Sequence, residues 1–366
     1  MGTLDRDGRV IVAEGGSCPS LERLSNGDLL VAYRDDTHKK SCVSVTRSTD
    51  CGRTWRKEHT FAYGASAERT DEQFYGHHGM AQLADGTILL PYNVYGASYS
   101  GVYNRTVCVR TSVDQGHTWS DPIVVVPGPG PAAGWASAVS YGKIRTLHDG
   151  TVILPIIGRY EGDRFGRHGY LTSHDGGETW DGYVTAACDR YSGDEADFLQ
   201  LPSGRILCVN RDPSNTHGHG VGPLFCNWSD DNGATWSSHE MVGWSDPRYG
   251  HSPSLFLTRT GTVICGYRHV AEMDHLHIGS VAFCYVKEEG LDWSGETHIW
   301  GGAMYLSFLM QFHAMGQGYP SFAYADDERI LVVHHNQPLP AVGERDIEGV
   351  FYVEQDSEPA WRGDVG

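Results

Sequence analysis

Glu195 and Arg211 stand at the two ends of one apolar segment that is interrupted by Ser203-Gly204. A Ser-Gly pair between apolar runs reads as a hairpin turn, and the ends of such a hairpin meet. A carboxylate and a guanidinium can then share one site. His77 and His78 precede another apolar run, His251 holds an equivalent place further on, and His334-His335 closes a later one. Imidazoles at such positions can bind hydroxyls, shuttle protons or hold a metal, although a hydrogen-bonded structural role is the simpler reading of each. HExxH-type spacing is absent, and the nine Cys are scattered without CxxC pairs. No metal and no cofactor are therefore expected. Asp35 and Asp36 form an adjacent pair of carboxylates after the first apolar hairpin.

The elements that must carry these groups are short and repetitive. One octapeptide, S-x-D-x-G-x-T-W, occurs at Ser48–Trp55, Ser112–Trp119, Ser173–Trp180 and Ser229–Trp236. Its Ser and Asp can bond local amides, its Gly supplies a positive φ and its Trp can plug the turn. The boxes are therefore expected to be structural. Out of phase with them, an apolar segment, a turn and a second apolar segment recur six times. The turns are Asn26-Gly27, Asp85-Gly86, Asp149-Gly150, Ser203-Gly204, Thr260-Gly261 and Asp326-Asp327. A fifth, degenerate box is expected near Glu288–Trp293. This spacing implies an all-β fold, a six-bladed β-propeller forming a single domain over residues 1–366. The segment Arg9–Ala13 is expected to pair with the last blade and close the ring.

Composition narrows the partners. Lys and Arg number 28 against 46 Asp and Glu, a formal charge of −18. A polyanion binder needs a basic surface, so nucleic acid is not an expected partner. A local basic site for a small anion remains compatible. No apolar run is long enough to span a bilayer, so no membrane partner is expected. Residues 1–10 are polar and the cysteines are odd in number and dispersed, which points to a reducing, cytoplasmic setting.

With its boxes in place, the chain resembles the sialidase (neuraminidase) superfamily of Asp-box propellers over nearly its whole length. That resemblance implies an axial site with a Tyr nucleophile, a Glu that activates it, an Asp acid/base in a loop and three Arg that hold the substrate carboxylate. Residue by residue, Tyr319 before Pro320-Ser-Phe is similar to the nucleophile, and Glu195 to its activator. Asp36 is similar to the acid/base, with Asp35 as its competitor. Arg211 and Arg268 resemble two of the three Arg, with Arg248 a rival to Arg268. The third is missing: Ser17 stands where the superfamily shows Arg, and Arg34, Lys143 or Arg9 are the candidates to replace it.

The resemblance implies a retaining exo-glycosidase acting on an acidic sugar of a glycoconjugate or oligosaccharide. His77, His78 and His251 depart from the superfamily's pattern and, from their places before inner strands, are expected at the pocket wall. The glycosidase chemistry follows from charge. A carboxylate on the anomeric carbon repels an anionic nucleophile, and a neutral Tyr made reactive by a base avoids this. Two alternatives stand beside it: a polysaccharide lyase acting on uronates, which the histidines suit, and a carbohydrate-binding propeller without activity.

Overall fold

A computed structural model describes residues 3–37, 42–61, 73–76, 79–96, 104–126, 134–212, 222–243, 250–273, 276–286, 296–300, 317–336 and 346–353. The described residues form antiparallel strands and turns, with no helix among them. In the first sheet Gly16–Arg23, Leu29–Asp35, Cys42–Ser48 and Arg56–Phe61 lie side by side. The second runs from Gln73–Gly76 and Ala81–Gln82 through Ile88–Gly96 and Asn104–Ser112 to Ile123–Val126. The third runs from Trp135–Ser140 and Arg145–Thr146 through Val152–Tyr160 and Arg167–Ser173 to Asp181–Ala187.

The fourth sheet holds Ala196–Gln200, Ile206–Arg211, Leu224–Ser229 and Glu240–Met241. The fifth holds Gly250–Leu257, Val263–Met273, Leu276–Val286 and Glu296–Trp300. In the last, Gln317–Tyr324, Arg329–Asn336 and Asp346–Val353 are joined by Thr3–Ala13. Val10 there lies opposite Gly349, and Ala13 opposite Ile347.

Each sheet is a blade because its middle strands are apolar on both faces, and a period of two sends alternate side chains to opposite neighbours. Leu29, Val31 and Tyr33 pack with Leu331 and Phe351 of the last blade. Leu30 and Ala32, from the same strand, pack with Met80 and Leu90 of the second. Such fully buried side chains each contribute roughly 1.5–3 kcal/mol.

Inner hairpins turn tightly. Leu24 N donates to Asp28 O at 2.8 Å and Gly27 N to Leu24 O at 2.9 Å. Gly27 sits at φ 91°, a conformation that favours Gly. The four boxes share one scheme. In the first, Asp50 accepts from Thr54 N at 2.9 Å and Thr54 Oγ1 at 2.6 Å, while Gly52 N donates to Ser48 Oγ at 2.9 Å. Trp55 Nε1 donates to Gly52 O at 3.0 Å. Because the strands are antiparallel, the boxes and the inner hairpin turns lie at the same end of the propeller. There they clasp across blades, as where Asn232 Nδ2 donates to Asp149 Oδ2 at 2.7 Å.

The expectation of a six-bladed propeller with four strands in every blade is corrected. Five blades reach from inner to outer strand with described side chains. The sheet beginning at Gly250–Leu257 is described in side-chain detail only as far as Arg268. The second and third sheets carry five strands, because their inner strand is broken into two short pieces that pair with one neighbour. The degenerate box near Glu288–Trp293 lies outside the described residues.

Candidate active site

Three neighbouring inner strands begin with the same irregularity. Their register slips between Ser17 and Ser20, between His251 and Ser254, and between Gly318 and Ser321. Inside each bulge a residue other than Gly adopts a positive φ: Cys18 at 53°, Ser252 at 58° and Tyr319 at 56°. Each precedes Pro-Ser. This conformation costs on the order of 1–3 kcal/mol per residue and persists only where the surroundings enforce it. The Ser after Pro supplies part of that enforcement. Ser20 Oγ accepts from Met80 N and Ser321 Oγ from Leu21 N, each at 2.9 Å. A bulge re-aims the side chain it carries, and here two of the three re-aimed residues meet Glu195.

Glu195 lies just ahead of the strand Ala196–Gln200 and is buried. Tyr319 Oη donates to Glu195 Oε1 at 2.5 Å. Ser252 donates to Oε2 through N at 2.8 Å and through Oγ at 3.2 Å. Arg211, whose N donates to Glu195 O at 2.9 Å, brings Nη1 to 3.7 Å from Oε2. Burial pushes the Glu195 carboxyl towards the neutral form. Arg211, His251, the Tyr319 phenol and the Ser252 amide outweigh that push and hold it below the usual Glu range. Burial and the Glu195 charge push Tyr319 well above the ordinary phenol value. At rest the proton therefore sits on Tyr319 and the charge on Glu195.

Arg268 lies opposite His251 in the fifth blade. A Cβ on Gly318 would stand 3.2 Å from Arg268 Cδ and 3.4 Å from His335 Nε2. Arg268 and His335 thus flank the backbone next to Tyr319, and the His335 ring centroid is 5.4 Å from that of Tyr319. Cys18 N donates to His335 Nδ1 at 3.4 Å.

The two adjacent aspartates divide. Asp35 is fully buried in a structural cluster with Lys57 Nζ at 2.5 Å, Ser44 Oγ at 2.7 Å and Thr37 Oγ1 at 2.5 Å. Burial opposes its charge, yet these partners bring it down to about 2. Asp36 lies at the axial end instead. Arg34 Nε is 2.7 Å from its Oδ1 and Ser17 Oγ donates to Oδ2 at 3.0 Å. Ser17, in the place where Arg was looked for, thus holds the candidate acid/base.

Of the proposed replacements for the missing Arg, Arg34 lies opposite Ser17 and is engaged with Asp36. Arg9 pairs with Glu348 at 3.3 Å, beside the buried His334. Lys143 pairs with Glu22 and donates to Leu21 O at 3.3 Å. Glu22 lies opposite Leu30, at the turn end of its strand, so Lys143 is placed down the axis and away from Tyr319. His77, His78 and Arg248 lie outside the described residues.

Sequence reasoning missed Ser252, Tyr141 and Asp194. Tyr141 is buried, with its ring centroid 6.3 Å from that of Tyr319 and its Oη 3.5 Å from Pro253 O. The signal for Ser252 was present as the triple recurrence of residue-Pro-Ser at Cys18, Ser252 and Tyr319. Nothing local marks Tyr141. Among the described residues no cluster of His, Cys, Asp and Glu could hold a metal ion.

A family model described as a BNR repeat-like domain matches residues 76–332. No curated protein matches the chain. Among solved structures, a protein of unknown function from Dyadobacter fermentans superposes with a TM-score of 0.72 at 19% identity, covering 95% of this chain and 98% of that one. A Hadza microbial sialidase gives 0.66 at 17% identity, with 92% and 65% covered. An α-L-arabinofuranosidase from Fusarium graminearum, in complex with an iminosugar inhibitor, gives 0.65 at 16% identity, with 94% and 96% covered. At these identities the likeness is one of fold, and function rests on the site.

Proposed function

Since this chain belongs to the BNR repeat-like family of sialidase-like propellers, we propose that it is a retaining exo-glycosidase acting on an acidic sugar of an oligosaccharide or glycoconjugate. The observation that carries this reading is the 2.5 Å bond from Tyr319 Oη to the buried Glu195 carboxylate. A phenol becomes a nucleophile when a positioned base takes its proton as the new bond forms. The resting mismatch, with Tyr319 raised and Glu195 lowered, keeps the phenol neutral until positive charge develops on the sugar ring. Arg211 and Arg268 take the substrate carboxylate. Asp36 protonates the leaving oxygen and then activates water against the Tyr319 adduct.

With Ser17 on Asp36 and Arg34 engaged there too, the carboxylate clamp has two guanidinium arms rather than three. Simple sialosides should then be poor substrates compared with another acidic sugar. The test is Tyr319→Phe, which keeps the ring and removes the nucleophile. It should lower kcat by about 10³-fold or more while leaving ligand binding nearly intact. A 3-fluoro sialic acid inactivator should label Tyr319, as read by mass spectrometry. An unsaturated uronate product without a Tyr319 adduct would sink the hydrolase reading in favour of a lyase. Failure to cleave any member of a broad acidic glycan panel would leave a binding propeller.

A further inference from the structure

Asp194 has no part in the scheme above, yet it is packed into the same charge cluster. Its Oδ1 accepts from Glu195 N at 2.8 Å and its Oδ2 lies 3.5 Å from Arg211 Nε. Arg211 therefore stands between two carboxylates, with Nε towards Asp194 and Nη1 towards Glu195 Oε2 at 3.7 Å. Its side chain is about one-fifth exposed, so neither pairing is washed out by water.

We propose that Asp194 is a positioning residue: it draws part of the Arg211 charge off Glu195, so that Glu195 keeps the basicity needed to take the Tyr319 proton. The claim rests on the reading of Tyr319 and Glu195 as the reacting pair. Two neighbouring, largely buried carboxylates repel each other, and one guanidinium does not neutralise both. An arrangement that costs stability at a cleft is the expected mark of a functional site. The charged or titratable groups that face Asp194 are Glu195, Arg211 and Asp212, and Glu195 in turn faces His251 and Tyr319. Burial first, then the Glu195 charge, raise the Asp194 carboxyl to about 6 against the pull of Arg211.

The stability consequence has a definite sign. A carboxyl raised in the folded state favours folding fully below its unfolded value near 3.8, and that contribution is lost as pH rises through about 6. Asp194→Asn keeps the acceptor for Glu195 N and removes the charge. It should therefore melt higher than the wild type at pH 8, by about 2 °C, with the gap closing by pH 4. The catalytic consequence runs the other way. Wild-type kcat/KM should fall as pH drops through about 6, because protonated Asp194 leaves the whole Arg211 charge on Glu195. In Asp194→Asn that limb should vanish, with kcat/KM at pH 7.5 down about tenfold.

The experiment is a pair of pH series on wild type, Asp194→Asn and Tyr319→Phe: thermal melting from pH 4 to 8, and kcat/KM on the best-cleaved member of an acidic glycoside panel. An Asp194→Asn variant that keeps the limb near pH 6, or that melts lower than wild type at pH 8, overturns the proposal. A Tyr319→Phe variant with full activity overturns the reading of the reacting pair instead. The melting series needs no substrate, so the two failures are told apart.

Discussion

The two ends of the propeller obey opposite rules. At the box end every device is repeated and satisfied. Asp50, Asp114 and Asp175 each accept from the amide and hydroxyl of the Thr directly before the Trp that caps the same loop. Side-chain and backbone bonds to these oxygens bring all three carboxyls down to about 2, and for Asp50 they do so against burial. At the axial end the described repeat is the backbone bulge with its following Pro-Ser. The residues it carries are Cys, Ser and Tyr, and around them lie carboxylates and guanidiniums that do not pair one to one. The same blades therefore hold a relaxed end and a strained end. A shared box scheme serves the four blades that carry it, whereas chemistry requires a different side chain at each equivalent position.

The largest expected break in that contrast is Glu195→Gln. The amide cannot take the Tyr319 proton, so activity should fall about 10²–10⁴-fold with the fold kept, as read by turnover alongside circular dichroism. A variant that stayed active would place the base elsewhere.

The neighbouring aspartates sharpen the comparison within one loop. Asp35→Asn should destabilise the protein by about 1–3 kcal/mol, since it breaks a buried pair whose Lys57 partner is partly solvated. Asp36→Asn should leave denaturant midpoints unchanged and lower kcat/KM by about 10²-fold. Reversal of the two phenotypes would exchange their roles.

Gly52→Ala probes the relaxed end. Gly52 sits at φ 84°, and an added Cβ would lie 2.9 Å from Leu331. Stability should drop by about 1–3 kcal/mol with kcat/KM per folded molecule unchanged. Loss of activity in a fully folded Gly52→Ala protein would erase the division between the ends.

The smallest effect is the acid response of the boxes. Their carboxyls are lowered on folding, so their contribution is present above the unfolded value of 3.8 and lost as pH falls towards about 2. Replacing Asp114 by Asn should lower melting slightly at pH 4 to 8, where the contribution is present, with the two proteins converging as pH falls towards about 2.

By itself the sequence determined the parts that are local. Turn chemistry at Asn26-Gly27, the box scheme and the apolar runs each arise within a dozen residues, so strands, hairpins and boxes could be read directly. Glu195 and Arg211 were likewise legible as a pair because one hairpin joins them. Only the tertiary structure decided which distant residues meet. Tyr319 reaches Glu195 across 124 positions, Ser252 binds it from a third blade, and Lys143, a candidate by charge, is drawn away to Glu22. Asp35 and Asp36 are adjacent in sequence, and alternation of side chains sends one to Lys57 and the other to Arg34. The four strands expected in every blade gave way where the inner strands of the second and third sheets split. Around a closed ring each inner strand must fit its two neighbours, and that fit is a property of the assembled blades.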